Sequence, residues 1–289
     1  MPRSAIAPER FRRFVAIDWS GAKGKRHRGI AVAECVAGDD APTLIAPPGG
    51  IWSRTEVLRW LLARASEPLL IGFDFSFSAP FVTRGAHLPG ETDTRDARAL
   101  WRYVDQHSDD EDLGAARFIE ARRGRHFYLG AADGAKRDFL HSRICESLDG
   151  QSTKPSTVYD AIGAAQVAKA SFAGMRLLHH LAPRIAIWPF DPVPPHGAAV
   201  VEIYTAIAAR GAGLRKGVSK LRTAAALDEA LVATGSKLHA PLSRYDDHST
   251  DAILAAAWLR RAAARADLWQ PTRMTPKIAQ TEGWTFGVS

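Results

Sequence analysis

The stretch Phe14-Val-Ala-Ile-Asp18-Trp-Ser-Gly21 is the segment from which the rest of the chain is interpreted. Four apolar residues run directly into an acid and then into a turn of small residues, which is typical of a buried strand that ends at a turn. A carboxylate at the end of a buried strand costs free energy unless a partner stabilises it. Asp18 either accepts hydrogen bonds from the turn that follows, as aspartate often does, or belongs to a group of functional acids. Further strand-end acids along the chain favour the second interpretation.

Regular patterns after this strand predict a mixed sheet covered by helices. Residues 30–36 alternate in polarity and form a hairpin with the first strand, and residues 43–46 predict a third antiparallel strand. Residues 55–65 carry apolar side chains at helical spacing. The apolar run 69–73 predicts a buried strand that again ends in an acid, Asp74. A meander, a crossover helix and a buried fourth strand together indicate an α/β fold with a mixed sheet.

The remaining chain adds an insertion and a second regular region. Residues 78–153 mix helical segments with loops and predict an insertion or cap over the sheet. The later elements are predicted as helices at 162–181, 221–234 and 249–265 and strands at 184–189 and 198–204. Residues 266–289 are typical of a less regular tail. Because no internal repeat or low-complexity linker interrupts the chain, the pattern indicates one domain over residues 1–289.

Composition and charge narrow the class of protein. The 289 residues are 46% apolar and 24% charged, as in ordinary soluble globular proteins. The formal net charge of +7 fits an anionic partner, nucleic acid first, although a solvated basic surface explains it as well. Cys35 and Cys145 form no CxxC pair, which favours a reducing, cytoplasmic location. Residues 1–13 lack the apolar core of a signal peptide, and the apolar helical run 252–259 is too short to span a bilayer, so we expect no membrane association.

Carboxylates recur where one fold would bring them together. Asp74 ends a buried strand, Glu202 lies within another, and Asp247 and Asp251 lie four residues apart near a helix start, where they share one face. Ligands of α/β folds bind at the edge where strands end. Carboxylates placed together repel one another, and a divalent cation relieves this repulsion; ligands that are all oxygen suit Mg²⁺ or Mn²⁺. Two such ions would orient an attacking water and stabilise the leaving oxygen of a phosphodiester.

Each acid also has a purely structural interpretation. Asp247 fits an N-terminal cap or a first-turn acid of its helix. Glu202 fits as the partner of an arginine, and Asp74 fits as a cap of the Ser-Phe-Ser turn that follows it. All of these being structural at once is less consistent with their positions than a shared site.

The motifs, taken in order, resemble the ribonuclease H-like superfamily and more closely the DUF429 family of predicted nucleases. The likeness spans most of the chain from Phe14 to Leu259. Its phrases are AIDWSGAKG (16–24), IGFDFSFSAP (71–80), KPSTVYDAIGAAQVAKASFAGM (154–175), IWPFD (187–191), VVEIYTA (200–206) and DDHSTDAILAAAWL (246–259).

This resemblance implies a ribonuclease H-like mixed five-stranded sheet flanked by helices, with an acidic metal centre and nuclease-type chemistry. By match to the motifs, Asp18 would bridge the metals. Asp74, Glu202 and Asp251 would complete the catalytic centre, with Asp247 as a further possible ligand. Asp74 and Glu202 both fit as the second acid. The expected function is therefore a Mg²⁺- or Mn²⁺-dependent nuclease that hydrolyses DNA or RNA.

Basic residues supply candidate nucleic-acid contacts. On the glycine-bearing turn after the first strand these are Lys23, Lys25 and Arg26, which would follow a phosphate backbone electrostatically, and Lys154 opens the second regular region. A solvated basic turn explains the first group equally well. The glycines at 163 and 174 are better explained by close helix packing than by phosphate contact.

Two other functions compete with the nuclease. One is a phosphotransferase or ATP-binding protein of the actin-like or sugar-kinase type, in which the glycine turn after Asp18 would bind phosphates; no second phosphate-binding glycine turn and no GxxxxGK[ST] loop accompany it. The other is a non-catalytic nucleic-acid-binding module with a structural acidic cluster. Serine-hydrolase, zinc-peptidase and dinucleotide motifs find no match in the sequence.

Overall fold

The computed structural model describes residues 10–148, 155–162, 167–215 and 220–289. The strands are β1 Arg13–Asp18, β2 Ala31–Val36, β3 Thr43–Leu44, β4 Leu69–Asp74, β5 Ala186–Ile187 and β6 Ala199–Glu202. The helices are α1 Arg54–Leu62, α2 Ala97–Gln106, α3 Ala116–Glu120, α4 Val167–Leu181, α5 Thr205–Gly211, α6 Ala224–Ala233, α7 Asp247–Ala263, α8 Ala266–Trp269 and α9 Pro276–Thr281. Short 3-10 turns lie at Ala131–Asp133, Lys136–Phe139 and Ile144–Glu146.

The sheet is mixed, with the strand order β3-β2-β1-β4-β6-β5. β1 pairs antiparallel with β2 and parallel with β4, and β6 continues the parallel part on the other side of β4. The α/β class and the mixed sheet are therefore confirmed. The expected five strands become six, because the short β5 pairs with Ala199 and Val200 of β6 and so extends the edge by one strand.

Alternation along the strands divides the core into two halves, one on each face of the sheet. Val15 and Ile17 of β1 pack into a core with α1, α2 and α4, whereas Phe14 and Ala16 pack into a core with α6 and α7. Successive side chains of a strand point to opposite faces, so an apolar run such as 14–17 is the pattern expected of a strand buried on both sides. The layers are thus helix, sheet and helix.

Two glycines allow α4 to lie close to the sheet and to the turn after β1. A Cβ on Gly174 would lie 2.3 Å from Cε2 of Phe75, so this glycine serves packing, as the sequence suggested. A Cβ on Gly21 would lie 2.2 Å from the backbone nitrogen of Ala170. The glycine turn that follows Asp18 therefore packs against the start of α4. The predicted start of this helix at 162 is not reproduced, since α4 begins at Val167, and Gly163 lies outside the described residues.

The C-terminal segment is part of the core rather than an irregular tail. It contains α8 and α9, and Trp284 and Phe286 are fully buried against the α7 side of the sheet. Backbone nitrogen of Phe286 donates to the carbonyl oxygen of Glu202 at the end of β6. Among the helices that the structure describes, none is both long and apolar enough to cross a membrane.

Candidate active site

Two of the predicted acids meet at the edge of the sheet where the parallel strands end. Asp18 and Asp74 are register partners at the ends of β1 and β4. Because neighbouring strands lie about 4.8 Å apart and partnered residues share a face, the two carboxylates are neighbours on the α7 side. Asp251 approaches them from the second turn of α7. All three acids line one cavity of about 330 Å³.

The electrostatics of this cavity show that the three carboxylates interact. Burial and the neighbouring charges of Asp18 and Asp251 raise the pKa of Asp74 to about 8, although the Thr205 hydroxyl donates to its Oδ2 at 3.0 Å. Burial, helped by the charge of Asp18, raises the pKa of Asp251 to about 6. The pKa of Asp18 is also raised by burial. Repulsion between neighbouring carboxylates thus contributes to the raised pKa values of Asp74 and Asp251. The sequence-based prediction of a shared acidic centre assumed such repulsion.

Two cationic groups stand against the acids. His248 Nδ1 lies 2.5 Å from Asp18 Oδ2, and this hydrogen bond raises the pKa of the imidazole. Lys220 Nζ lies 3.3 Å from Asp251 Oδ2 and 3.5 Å from Asp247 Oδ2. His248 and Lys220 both line the cavity. The acids are therefore partly neutralised by side chains of the protein itself.

The helix that carries Asp251 is capped by Asp246, not by Asp247. The Asp246 side chain accepts a hydrogen bond from the backbone nitrogen of Ser249 at 2.9 Å. Asp247 is a first-turn acid held by Lys220 and by Arg222, whose Nε lies 3.2 Å from Asp247 Oδ1. Asp247 thus stands one helical turn from Asp251 at the rim of the site.

Glu202 occupies the same sheet edge but has different partners. It pairs in register with Phe73, so its side chain leaves the sheet on the face opposite to Asp18 and Asp74. Arg143 forms a double ion pair with its carboxylate, the backbone nitrogen of Phe77 donates to Oε2 at 2.7 Å, and Thr285 Oγ1 donates to Oε1 at 2.6 Å. Glu202 and Arg143 line the same cavity as Asp18, Asp74 and Asp251, but the structure places Glu202 in a buried pair with an arginine, the structural alternative for this residue.

The candidate nucleic-acid contacts on the turn after β1 are ion-paired within the protein. Lys23 lies 2.9 Å from Glu120, Lys25 lies 3.1 Å from Glu111, and Arg26 binds Glu56 through both of its terminal nitrogens. The basic side chains of these pairs are exposed to solvent. Because exposed ion pairs contribute little free energy, a phosphate could still reach these basic groups. Lys154 lies outside the described residues.

Sequence reasoning did not single out three residues that shape the site: Arg143, Lys220 and His248. His248 stands between Asp247 and Asp251 in the quoted stretch DDHSTDAILAAAWL, and this position was a usable signal. Arg143 and Lys220 lie in segments without clear periodicity, and their partners are distant in sequence.

In the described ranges no group of three or more His, Cys, Asp or Glu side chains has a geometry that would hold a metal ion. Comparisons of the chain with protein-family models, with curated proteins and with solved structures find no match.

Proposed function

We propose that this protein is a Mg²⁺- or Mn²⁺-dependent phosphodiesterase of the ribonuclease H-like type that hydrolyses DNA or RNA in the cytoplasm. The observation that supports it most is the meeting of Asp18, Asp74 and Asp251 in one cavity at the carboxyl edge of the parallel strands. Open α/β sheets bind their ligands at this edge. The order of the meander and the three parallel strands that follow it supports the fold assignment.

The donor set suits a hard divalent cation. The three carboxylates offer oxygen ligands only. Burial raises the pKa of all three, and neighbouring carboxylates add to the rise in the pKa of Asp74 and of Asp251; a bound cation would stabilise the ionised forms. Asp18, Asp74 and Asp251 would hold the ion after their side chains rearrange, because their metal-free positions do not form a metal-binding group. Asp247 at the rim would be a further ligand. When bound, such an ion supplies Lewis-acid stabilisation of phosphate oxygens and an activated water.

The other groups of the cavity fit an anionic substrate. Lys220 and His248 add positive charge beside the acids, and the chain as a whole carries a formal charge of +7. Trp19 and Phe75 give the cavity an aromatic wall, which suits a nucleotide base better than it suits a bare phosphate. Glu202 and Arg143 also line the cavity, and Glu202 leaves the sheet on the face opposite to Asp18 and Asp74.

The test is a cleavage assay with Mn²⁺ on labelled DNA, RNA and hybrid substrates. Wild-type protein should cut at least one substrate, chelation should stop the reaction, and Asp18→Asn should lose it. Asp40→Asn, the same change at a carboxylate that is 70% exposed and outside the cavity, should keep full activity.

Two outcomes would reject the proposal. One is the absence of cleavage on every substrate by a folded wild-type protein, which would favour a binding module or an ATP-binding protein. Thermal stabilisation by ATP would distinguish the ATP-binding protein from the binding module. The other is cleavage that survives in Asp18→Asn, because the acidic cluster would then not be the reacting site.

A further inference from the structure

Lys220 forms ion pairs with both of the α7 acids that the proposed function assigns to the metal, Asp247 and Asp251. Its ammonium group contacts Asp251 at 3.3 Å and Asp247 at 3.5 Å, and it lines the cavity together with Asp18 and Asp74. Its charge acts favourably on the ionised form of Asp18 as well as on that of Asp251. One lysine therefore supplies positive charge to the same carboxylates that would hold a metal.

A second basic residue binds the same helix turn without reaching the cavity. Arg222 contacts Asp247 at 3.2 Å, its side chain is 70% exposed, and it is absent from the cavity lining. Lys220 is 50% exposed and is the one of the two that contacts Asp251. A comparison of Lys220 with Arg222 therefore separates the effect of a charge inside the acidic cluster from the effect of a charge near it.

We propose that Lys220 is a built-in competitor for the divalent cation: its ammonium group holds the Asp247 and Asp251 carboxylates, and a metal ion binds only as that group leaves them. This inference rests on the proposed function, since it concerns the same cluster. It assigns Lys220 a positioning role that sets metal affinity.

The geometry favours displacement over a permanent structural pair. Both contacts of Lys220 are longer than an ideal charge-assisted hydrogen bond, and half of the side chain is exposed to solvent. A flexible, half-exposed lysine gives up such contacts at a small cost, unlike the fully buried Arg143, which holds Glu146 and Glu202 at once. Lys220 is therefore the cation of the site that a metal ion would displace most readily.

The test measures Mn²⁺ binding, not cleavage, for wild type, Lys220→Met and Arg222→Met. Titration by electron paramagnetic resonance at pH 8, where protons compete less for Asp251, gives the Kd of each protein. We expect Lys220→Met to bind Mn²⁺ about tenfold more tightly than wild type. Arg222→Met removes the same charge from outside the cavity and should stay within about twofold of wild type, because exposed charges are screened.

Thermal unfolding provides the second measurement. Without metal, Lys220→Met should have a lower Tm than wild type, since the carboxylates lose a neutralising charge. With Mn²⁺ it should show the larger rise in Tm, because ligand binding stabilises the folded state in proportion to affinity. Both changes should be much smaller in Arg222→Met.

The outcomes separate this inference from the nuclease proposal. If wild type binds Mn²⁺ and Asp18→Asn does not, but Lys220→Met binds no more tightly than Arg222→Met, the competitor role is rejected while the metal centre stands. If Lys220→Met binds more tightly and no variant cleaves any nucleic acid, the inference stands and the nuclease proposal fails. Absence of Mn²⁺ binding in all variants rejects both.

Discussion

Asp74 carries the clearest electrostatic cost at the site. Its pKa is raised from 3.8 to about 8 by burial and by the charges of Asp18 and Asp251. The folded protein therefore keeps a proton on this group from about pH 4 to pH 8, whereas the unfolded chain releases it near pH 4. Because the folded state binds more protons in this window, its stability falls as pH rises through it, and the full penalty is present above pH 8.

We expect Asp74→Asn to stabilise the metal-free protein at high pH. The amide cannot ionise, so the gain should be near zero at about pH 3, about 1 kcal/mol at pH 4.5 and about 5 kcal/mol at pH 8.5. Urea unfolding in the presence of a chelator, repeated across this pH range, measures it. Asp40→Asn should follow the wild-type curve. A gain that does not grow with pH would show that Asp74 is already ionised at low pH and that its burial is less costly than described.

Glu202 should matter for stability and not for metal binding. Its carboxylate is bound by Arg143, Thr285 and the backbone of Phe77, and it leaves the sheet on the face away from Asp18. Glu202→Gln leaves the buried guanidinium short of negative charge, which costs about 3 kcal/mol. Its Kd for Mn²⁺, measured where both proteins are folded, should equal that of wild type.

Glu34→Gln is the matched control for this variant. Glu34 is also nearly buried and is held by two arginines, Arg13 and Arg64, but it does not line the cavity. Both variants should lose stability and keep the wild-type affinity for Mn²⁺. If Glu202→Gln weakens Mn²⁺ binding as strongly as Asp18→Asn does, Glu202 is a ligand and the structural interpretation of its arginine pair is wrong.

At the scale of elements, the strands could be predicted from the sequence. The face of the sheet on which each side chain lies could be predicted only in part. Apolar runs that end in acids identified β1 and β4 to within a residue, because burial on both faces demands an unbroken apolar run. Once β4 and β6 are paired in register, alternation places Glu202 on the face opposite to Asp74. The register itself depends on contacts between residues 129 positions apart, such as Phe73 and Glu202, which no local pattern encodes.

The approach of α4 to the sheet depends on Gly174. A Cβ at this position would lie 2.3 Å from the Phe75 ring, which also lines the cavity. Within a helix, alanine normally stabilises by about 1 kcal/mol relative to glycine. Here we expect Gly174→Ala to destabilise by about 2 kcal/mol, because the ring or the helix must move in a packed core. Chemical denaturation measures the sign of the change, and a stabilised variant would contradict this packing.

At the scale of the whole molecule, the acids of the candidate site could be predicted from the sequence, but the basic residues that pair with acids of the cavity could not. Asp18, Asp74 and Asp251 were identified from strand ends and helix spacing, since those positions converge in any sheet of this class. Lys220 and Arg143 were missed because an ion pair leaves no periodic trace in sequence. The segment from 266 onward was also underestimated, because its burial comes from single large side chains such as Trp284 and Phe286 and not from a repeating pattern.

One carboxylate of that C-terminal segment holds the two ends of the segment predicted as an insertion, residues 78–153. Glu282 is fully buried, and its Oε1 accepts from the backbone nitrogens of Phe81 and Val82 at 2.7 Å each. Its Oε2 accepts from the backbone nitrogen of Ile144, also at 2.7 Å. Both ends of this segment are thereby tied to the residue that follows α9, next to Arg143, which lines the cavity and donates to the carbonyl oxygen of Glu282.

We expect Glu282→Gln to loosen the insertion before it loosens the sheet. The amide group of glutamine faces backbone donors with a donor of its own, so at least one buried N–H loses its acceptor, at a cost of about 2 kcal/mol. Native-state hydrogen exchange should show much faster exchange at Phe81, Val82 and Ile144, with β1 and β4 as well protected as in wild type. Glu229→Gln, the same change on the exposed face of α6, should leave all of these amides unchanged. Equal loss of protection in β1 would mean that the insertion and the sheet open as one cooperative unit, and that Glu282 holds the whole fold and not the insertion alone.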